Sequence, residues 1–354
     1  MTDTTPFAFL VHPRRQIGQD LARVWGPLAR VPERCYDTAL KRLPLPATTI
    51  ARVTVDGHDG PLGEIVLVPY AAGHLLADPA RGAVRVARAV DHAVHRGARL
   101  VGLGALTAPV TAGGLAFRHR TDVGVTNGNA FTAAVVDRQV RDVLNGLVGP
   151  VGGRVAVVGA TGSVGSAVVR SLARDRAVEQ LLLVARGAGR RECLAADVAS
   201  RVPTTTAASV EAVAGADVVV LLTASVDSLL RAHHLKPGAV VLDATQPRNT
   251  APDLVATRPD VTVLDGGIVA VPSLRLSSPV LGLPRGRSFA CLAETVLLAL
   301  SGHRGHFSLG NPGLEVLDRS RELADAMRHL GFTPAPPTSF GRPVPAARPE
   351  PVPA

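Results

Sequence analysis

The sequence predicts an α/β protein of two units followed by a helical segment, and three observations carry that prediction. Short apolar runs alternate with helical patterns along most of the 354 residues, the pattern of strands joined by crossover helices. A Gly-rich turn, GATGSVG from Gly159 to Gly165, stands between one such run and one such helix. The chain is 46% hydrophobic and 19% charged, and at roughly 100 to 200 residues per domain its length suits two buried cores.

The first unit, an α/β domain, is expected over residues 1–150. Its strands are Phe7 to Val11, Ile50 to Val55, Glu64 to Val68, Leu100 to Leu103 and Val123 to Thr126; its helices lie near Gly18 to Arg30, Arg81 to Arg96 and Asn129 to Leu147. The stretch Gly146 to Gly153 has the Gly and Pro density of a connection. The second unit, residues 151–275, carries five apolar strands, RVAVVG, LLLVAR, ADVVVLLTA, AVVLDAT and VTVLDGG, and reads as a doubly wound parallel sheet of Rossmann-like type. Residues 276–333 read as mainly helical. Residues 334–354 are Pro-rich with few apolar anchors and read as a disordered tail.

The formal charge of +9 first suggests a polyanionic partner. Lys41 and Lys236 are the only lysines, the arginines are scattered, and aromatic residues make up 3%. Proteins that bind nucleic acid concentrate their bases in blocks and interleave aromatics, so no nucleic-acid partner is expected. The apolar runs fall short of the roughly 20 residues that span a bilayer, and the N-terminus MTDTTPFAFLVHP has no basic stretch leading into an apolar one. Cys35, Cys193 and Cys291 are odd in number and widely spaced. No metal site is expected, and free thiols in a reducing cytoplasm fit that usage.

The Gly-rich turn is the strongest single motif, because it follows the strand RVAVV and opens the helix SVGSAVVRSLA. Small residues let the backbone approach a pyrophosphate, whose charge the N–H groups of the helix N-terminus bind. The candidate cofactor residues are Gly159, Ala160, Thr161, Gly162, Ser163, Val164 and Gly165, with Thr223 and Ala224 at the end of ADVVVLLTA. The bland alternative is a tight turn with no ligand. Where NAD-binding proteins carry an acidic residue at the end of the second strand, LLLVAR ends in Arg186, followed by Arg190 and Arg191. A guanidinium pairs with the 2′-phosphate of NADP, so NADPH is the expected cofactor and Arg186 the foremost of the three.

Cys291 stands apart from the other two thiols. The apolar spacing of Phe289, Leu292, Val296 and Leu297 predicts a helix with Ser288 as N-cap and Cys291 in its first turn. The helix N-terminus and the upstream Arg285 and Arg287 are both expected to lower the thiol pKa. A core cysteine facing the sheet is the competing reading.

Four blocks in the same order then resemble a known family: GLGALTAP at Gly102 to Pro109, TNGNAFTAAVVDRQV at Thr126 to Val140, VAVVGATGSVGSAV at Val155 to Val168, and FACLAETVLLALSGHRGHFSLG at Phe289 to Gly310. The chain resembles the long-chain acyl-(acyl-carrier-protein) reductases of cyanobacterial type, which reduce acyl thioesters to aldehydes with NADPH through an acyl-cysteine. The resemblance implies that Cys291 accepts the acyl group, that GATGSVG and Arg186 hold NADPH, and that the substrate arrives on acyl carrier protein or coenzyme A. Asn129, with Thr132 in the same block, would lie near the nicotinamide or the thioester carbonyl, with an N-capping role as the alternative. Glu294, His303 and His306 are the candidates for proton transfer. The stretches ATQPRN at Ala244 to Asn249 and IVAVPSLRLSS from Ile268 depart from the family pattern, so the long-chain preference does not carry over.

Two other readings stay open. One is a non-covalent NADP-dependent oxidoreductase of a carbonyl or hydroxy acid, laid out like shikimate dehydrogenase; the other is a catalytically silent NADP-binding module.

Overall fold

A computed structural model describes residues 4–14, 16–43, 45–147, 152–224, 230–246, 248–251 and 253–344. Residues 148–151 of the connection expected at Gly146 to Gly153 lie outside these residues, as do residues 345–354 of the expected tail.

The first unit contains β1 (Phe7–Val11), α1 (Ile17–Ala22), α2 (Glu33–Arg42), β2 (Thr48–Val55), β3 (Gly63–Leu67), α3 (Ala72–Ala77), α4 (Pro79–His95), β4 (Leu100–Leu103), α5 (Thr107–Val110), β5 (Gly124–Thr126) and α6 (Asn129–Leu147). Helix α4 starts where its sequence says it should: Asp78 accepts the Arg81 N–H at 3.0 Å and Pro79 occupies the first position, which needs no amide donor. The helix expected over Gly18 to Arg30 is instead α1 followed by a 3-10 turn, Gly26–Arg30. The break falls over Arg23 to Trp25, just before Gly26-Pro27, whose proline lacks the N–H that would continue the helix. Helix α2 was not expected, since only Tyr36 and Leu40 of it are buried.

The second unit contains β6 (Arg154–Val158), α7 (Ser163–Arg174), β7 (Gln180–Val184), α8 (Ala188–Val198), β8 (Thr204–Ala207), β9 (Val218–Leu221), β10 (Val240–Asp243), α9 (Asp253–Thr257) and β11 (Thr262–Asp265). Its sheet order is β11-β10-β9-β6-β7-β8, with every pair parallel. Counted from β6, that is the dinucleotide-binding order 3-2-1-4-5-6, with the topological switch between β6 and β9. The sixth strand, β8, escaped the sequence reading because TTTA is a partly exposed edge without an apolar run.

The remaining elements are β12 (Ile268–Ala270), β13 (Leu274–Leu276), β14 (Arg287–Phe289), α10 (Ala290–Leu300), α11 (Leu314–Ala326), β15 (Thr333–Pro334), β16 (Thr338–Ser339) and β17 (Arg342–Pro343). This segment is less purely helical than expected. Strand β13 returns to the first sheet, whose order is β13-β2-β3-β1-β4-β5, so the first unit is built from chain on both sides of the second. Helix α10 is buried almost all round, packed between the first sheet and α6. It crosses β4 so closely that a Cβ on Gly102 would lie 2.1 Å from Thr295 Oγ1.

The Pro-rich stretch read as disordered from residue 334 is corrected over 334–344. Phe332 N–H bonds to Ala270 O at 2.8 Å and Ala335 N–H to Ile268 O at 3.0 Å. The buried Asp265 carboxylate then accepts the Thr338 hydroxyl at 2.7 Å and the N–H groups of Phe340 and Gly341. Polar anchors on one buried acid replace the apolar ones that the sequence lacks.

Candidate functional site

A cavity of about 590 Å³ opens where the carboxyl ends of the two sheets meet, lined by residues of both units. Its walls bring Cys291 and Asn129 together with Thr161, Gly162, Ser163, Val164, Thr223 and Ala224. The C-terminal strand edge at a switch point is where open α/β sheets bind ligands.

On one side is the Gly-rich turn. Gly159 has φ +89°, and a Cβ there would stand 2.6 Å from Leu222 O; a Cβ on Gly165 would stand 2.3 Å from Gly159 O. These glycines fit β6, β9 and α7 against one another, while Gly162, the N-cap of α7, has no side chain to cover the first-turn N–H groups. That leaves the donors and the helix dipole for a phosphate. Of the three arginines, Arg186 is exposed and does not line the cavity, whereas Arg190 does. The Arg190 guanidinium folds over Gly187, 3.4 Å from where a Cβ would sit, and Arg191 turns back to donate to Ala185 O at 2.7 Å. Helix α8 starts at Ala188, and its first turn brings Arg190, not the Arg186 preferred from the sequence, to the cavity wall.

Opposite stands Cys291, the second residue of α10. The N-cap is Phe289; Ser288 lies in β14 and its hydroxyl donates to Phe289 O, so it is not the expected cap. Cys291 is partly buried whereas Cys35 and Cys193 are exposed. Burial pushes its thiol up to about 12, against the pull of the backbone N–H groups of Leu292, Cys291 and Ala105 that face it; the Glu294 carboxyl adds to the upward shift. The lowered pKa expected from the sequence is thus corrected for the ligand-free protein. Desolvation outweighs the helix N-terminus, and neither Arg285 nor Arg287 lines the cavity.

The proposed acid–base residues are placed elsewhere. Glu294 is buried, accepts the Phe131 N–H at 2.7 Å and the Thr126 hydroxyl, and closes off the start of α6. Burial raises its pKa to about 7. His306 accepts the Val125 N–H at 3.1 Å through Nδ1, and His303 contacts His306 O. None of the three lines the cavity. Asn129 does, but neither as a cap nor with a free amide: it is the first residue of α6, and its Nδ2 donates to Ser163 Oγ at 2.8 Å, which donates on to Gly310 O at 2.7 Å. It ties the cysteine side of the cavity to the Gly-rich turn.

Three residues that the sequence reading missed complete the site. Asn127, buried one residue before Gly128, accepts from Asn129 N–H and Ser308 Oγ and donates to Gly113 O and Gly310 O. His12, at the end of β1, lines the cavity while Ala105, on the turn after β4, faces the thiol. A hydrogen-bonding role at the end of an apolar strand leaves no periodic signal. The only cue was a His standing alone after FAFLV. Among the described residues no cluster of His, Cys, Asp and Glu could hold a metal ion, and no helix is long and apolar enough to cross a membrane.

Residues 154–264 match the semialdehyde dehydrogenase NAD-binding domain family. The chain is 31% identical over 285 residues to the aminotransferase PigE of a Serratia species, covering 79% of this chain and 33% of that protein. It is 31% identical over 216 residues to a long-chain acyl-(acyl-carrier-protein) reductase of Synechococcus elongatus, covering 59% of this chain and 61% of that one. The chain thus spans a third of one relative and about three fifths of the other. Residues 154–264 thus form a Rossmann-like nicotinamide-dinucleotide-binding domain similar to that of the semialdehyde dehydrogenases, in a chain similar to the acyl-(acyl-carrier-protein) reductases that its motifs resemble.

Proposed function

We propose that this protein is an NADPH-dependent reductase that converts an acyl thioester to an aldehyde through an acyl group held on Cys291. The observation that carries the reading is one cavity with a thiol at a helix N-terminus on one wall and a dinucleotide-type Gly-rich turn on the other. In the first step the Cys291 sulfur attacks the thioester carbonyl, the C–S bond to the carrier breaks, and the carrier leaves as a thiol with the proton that Cys291 gives up. Bound NADPH would supply the hydride that reduces the enzyme thioester. The resulting hemithioacetal, having taken up one proton, releases the aldehyde and restores the Cys291 thiol. Asn129 and Ser163 hold the two walls in register, which keeps the carbonyl close to the dinucleotide side. The apolar side chains of Phe9, Val11, Leu21, Ile50 and Leu67 line the same cavity and suit an acyl chain.

The N–H groups of Ala105, Cys291 and Leu292 suit the negative charge that develops on sulfur or carbonyl oxygen. His12 holds one of them in place. Pro13 O only accepts, so Nδ1, 2.9 Å away, carries the proton; Leu106 N–H only donates, so Nε2, 3.1 Å away, accepts. The ring is neutral, and burial keeps its pKa low. Through Leu106 it anchors a turn in which Ala105 adopts φ +48°, an uncommon conformation for a residue with a Cβ. His12→Ala is expected to slow acylation of Cys291 roughly 10²-fold with little change in NADPH affinity. Stopped-flow acylation with and without the substitution measures this, and His12→Asn, which keeps an acceptor, should restore part of the loss.

For the cofactor, Arg190→Ala is expected to raise the KM for NADPH roughly 10- to 100-fold, the worth of a charge-assisted hydrogen bond to the 2′-phosphate. The KM for NADH should scarcely move. Equal losses with both cofactors would leave Arg190 without that role. The reading as a whole is tested by mass spectrometry after incubation with an acyl thioester and no NADPH. One adduct on Cys291 is expected. An adduct confined to the exposed Cys35 or Cys193, or none, would overturn the covalent route.

A further inference from the structure

We propose that the face formed by the 3-10 turn Gly26–Arg30, helix α2 and the start of α4 docks the acidic carrier protein that presents the thioester; this rests on the reading under Proposed function. Three observations lead there. First, Val24 lines the cavity and is itself 39% exposed, so it sits at the mouth. Its neighbour Trp25 is 62% exposed, and Val31 on the far side of the turn is also exposed. Large apolar side chains beside the mouth of a cavity mark a contact surface.

Second, the charge of this face is one-sided. Arg30, Arg34, Lys41 and Arg42 are exposed, and none forms an ion pair among the described residues. The two acids of α2 are already partnered: the Glu33 carboxylate accepts the N–H groups of Ile17 and Gly18 at 3.1 and 2.8 Å, and Asp37, although exposed, binds His74 Nε2 at 2.6 Å. Third, Lys41 and Arg42 do not simply fan into solvent. With Arg81, at the start of α4, they line one groove whose other walls are Asp37 and Thr38. Three cations in one groove suit an acidic helix rather than a single small anion.

A carrier protein fits these features better than a lipid surface does. The thioester must reach Cys291 at the inner wall of the cavity while its carrier stays outside, so the carrier must rest against the mouth. Charges around the rim of such a contact act mainly on encounter rate and salt dependence.

Trp25 is the single tryptophan of the chain, so its fluorescence reports contact at the mouth. Titrating the full-length protein with acyl carrier protein bearing its prosthetic thiol is expected to shift the Trp25 emission, with an affinity that falls as salt is raised. The variant K41E/R42E/R81E is expected to raise the KM for acyl-carrier substrate roughly tenfold or more. Its kcat should hold, as should its KM for the same acyl group on N-acetylcysteamine. R30E/R34E serves as an independent second variant should the first fail to fold. The proposal is overturned if charge reversal raises both KM values equally or neither. It is also overturned if anionic phosphatidylglycerol vesicles shift Trp25 while the carrier does not, an outcome that would assign the face to a lipid surface. Should the wild type reduce neither substrate, the thioester reading fails, and the fluorescence titration alone still decides whether a carrier docks.

Discussion

Cys291→Ala is expected to remove aldehyde formation from acyl thioesters, by roughly 10⁴-fold or more, as loss of a covalent nucleophile does. NADPH binding should survive, since the Gly-rich turn is built on β6 and α7 and makes no hydrogen bond to the thiol. The substitution removes one sulfur atom from the cavity wall and should cost little stability. In the wild type the same residue has a distinctive pH behaviour. With the thiol held at about 12 in the ligand-free protein, alkylation of Cys291 by a small neutral reagent should climb about tenfold per pH unit from 7 to 10 without levelling. A plateau below pH 8 would show a thiolate already present in the free protein. Steady-state NADPH oxidation for the variant and a pH series of alkylation for the wild type make the two measurements. Full turnover by Cys291→Ala would sink the covalent mechanism and favour the non-covalent carbonyl oxidoreductase.

The contrast between what the sequence shows and what it hides follows from the range of the interactions involved. Buried parallel strands such as VVVL at Val218–Leu221 are apolar on both faces and so stand out as runs. The Gly-rich turn was legible because strand, glycines and helix are adjacent in the chain. Cys291 was legible as a first-turn residue, but not its pKa. That depends on how deeply α10 is set between the first sheet and α6, and on Glu294 being held against α6 by Phe131 N–H and Thr126. Glu294 and His306 stand off the cavity because the first is held by Phe131 N–H and Thr126 and the second by Val125 N–H. Ala105 and His12 precede Cys291 by 186 and 279 residues of chain and share no motif with it. That Arg190 rather than Arg186 lines the cavity has a local reason of a different kind, because the start of α8 sets which guanidinium turns toward it.

Gly128→Ala is expected to disable the site more completely than its single methyl suggests. Gly128 has φ +72°, and a Cβ there would lie 2.3 Å from Cys291 Cβ and 2.5 Å from Cys291 Cα. The left-handed conformation costs a non-Gly residue roughly 1–2 kcal/mol, and forcing an extra carbon into a packed core typically adds 1–3 kcal/mol. Neither neighbour has room to yield. Behind Cys291, helix α10 is already pressed onto β4 at Gly102. On the other side, the start of α6 is fixed by Glu294, by Asn127, and by Thr132, whose hydroxyl donates to Gly128 O at 2.7 Å. A loss of about 2–5 kcal/mol is therefore expected in urea unfolding. Whatever protein remains folded should acylate Cys291 far more slowly, because a shift of the order of 1 Å in the nucleophile costs about 10²-fold. Gly146→Ala is the matched control. That glycine lies in the same helix α6, and a Cβ there would meet no atom within 4 Å, so alanine should leave acylation unchanged and stabilise the protein by roughly 0.5–1 kcal/mol. Near-normal acylation in Gly128→Ala would mean that α10 and α6 slide past each other freely, and that the close fit of thiol, turn and Gly-rich loop is not what the chemistry depends on.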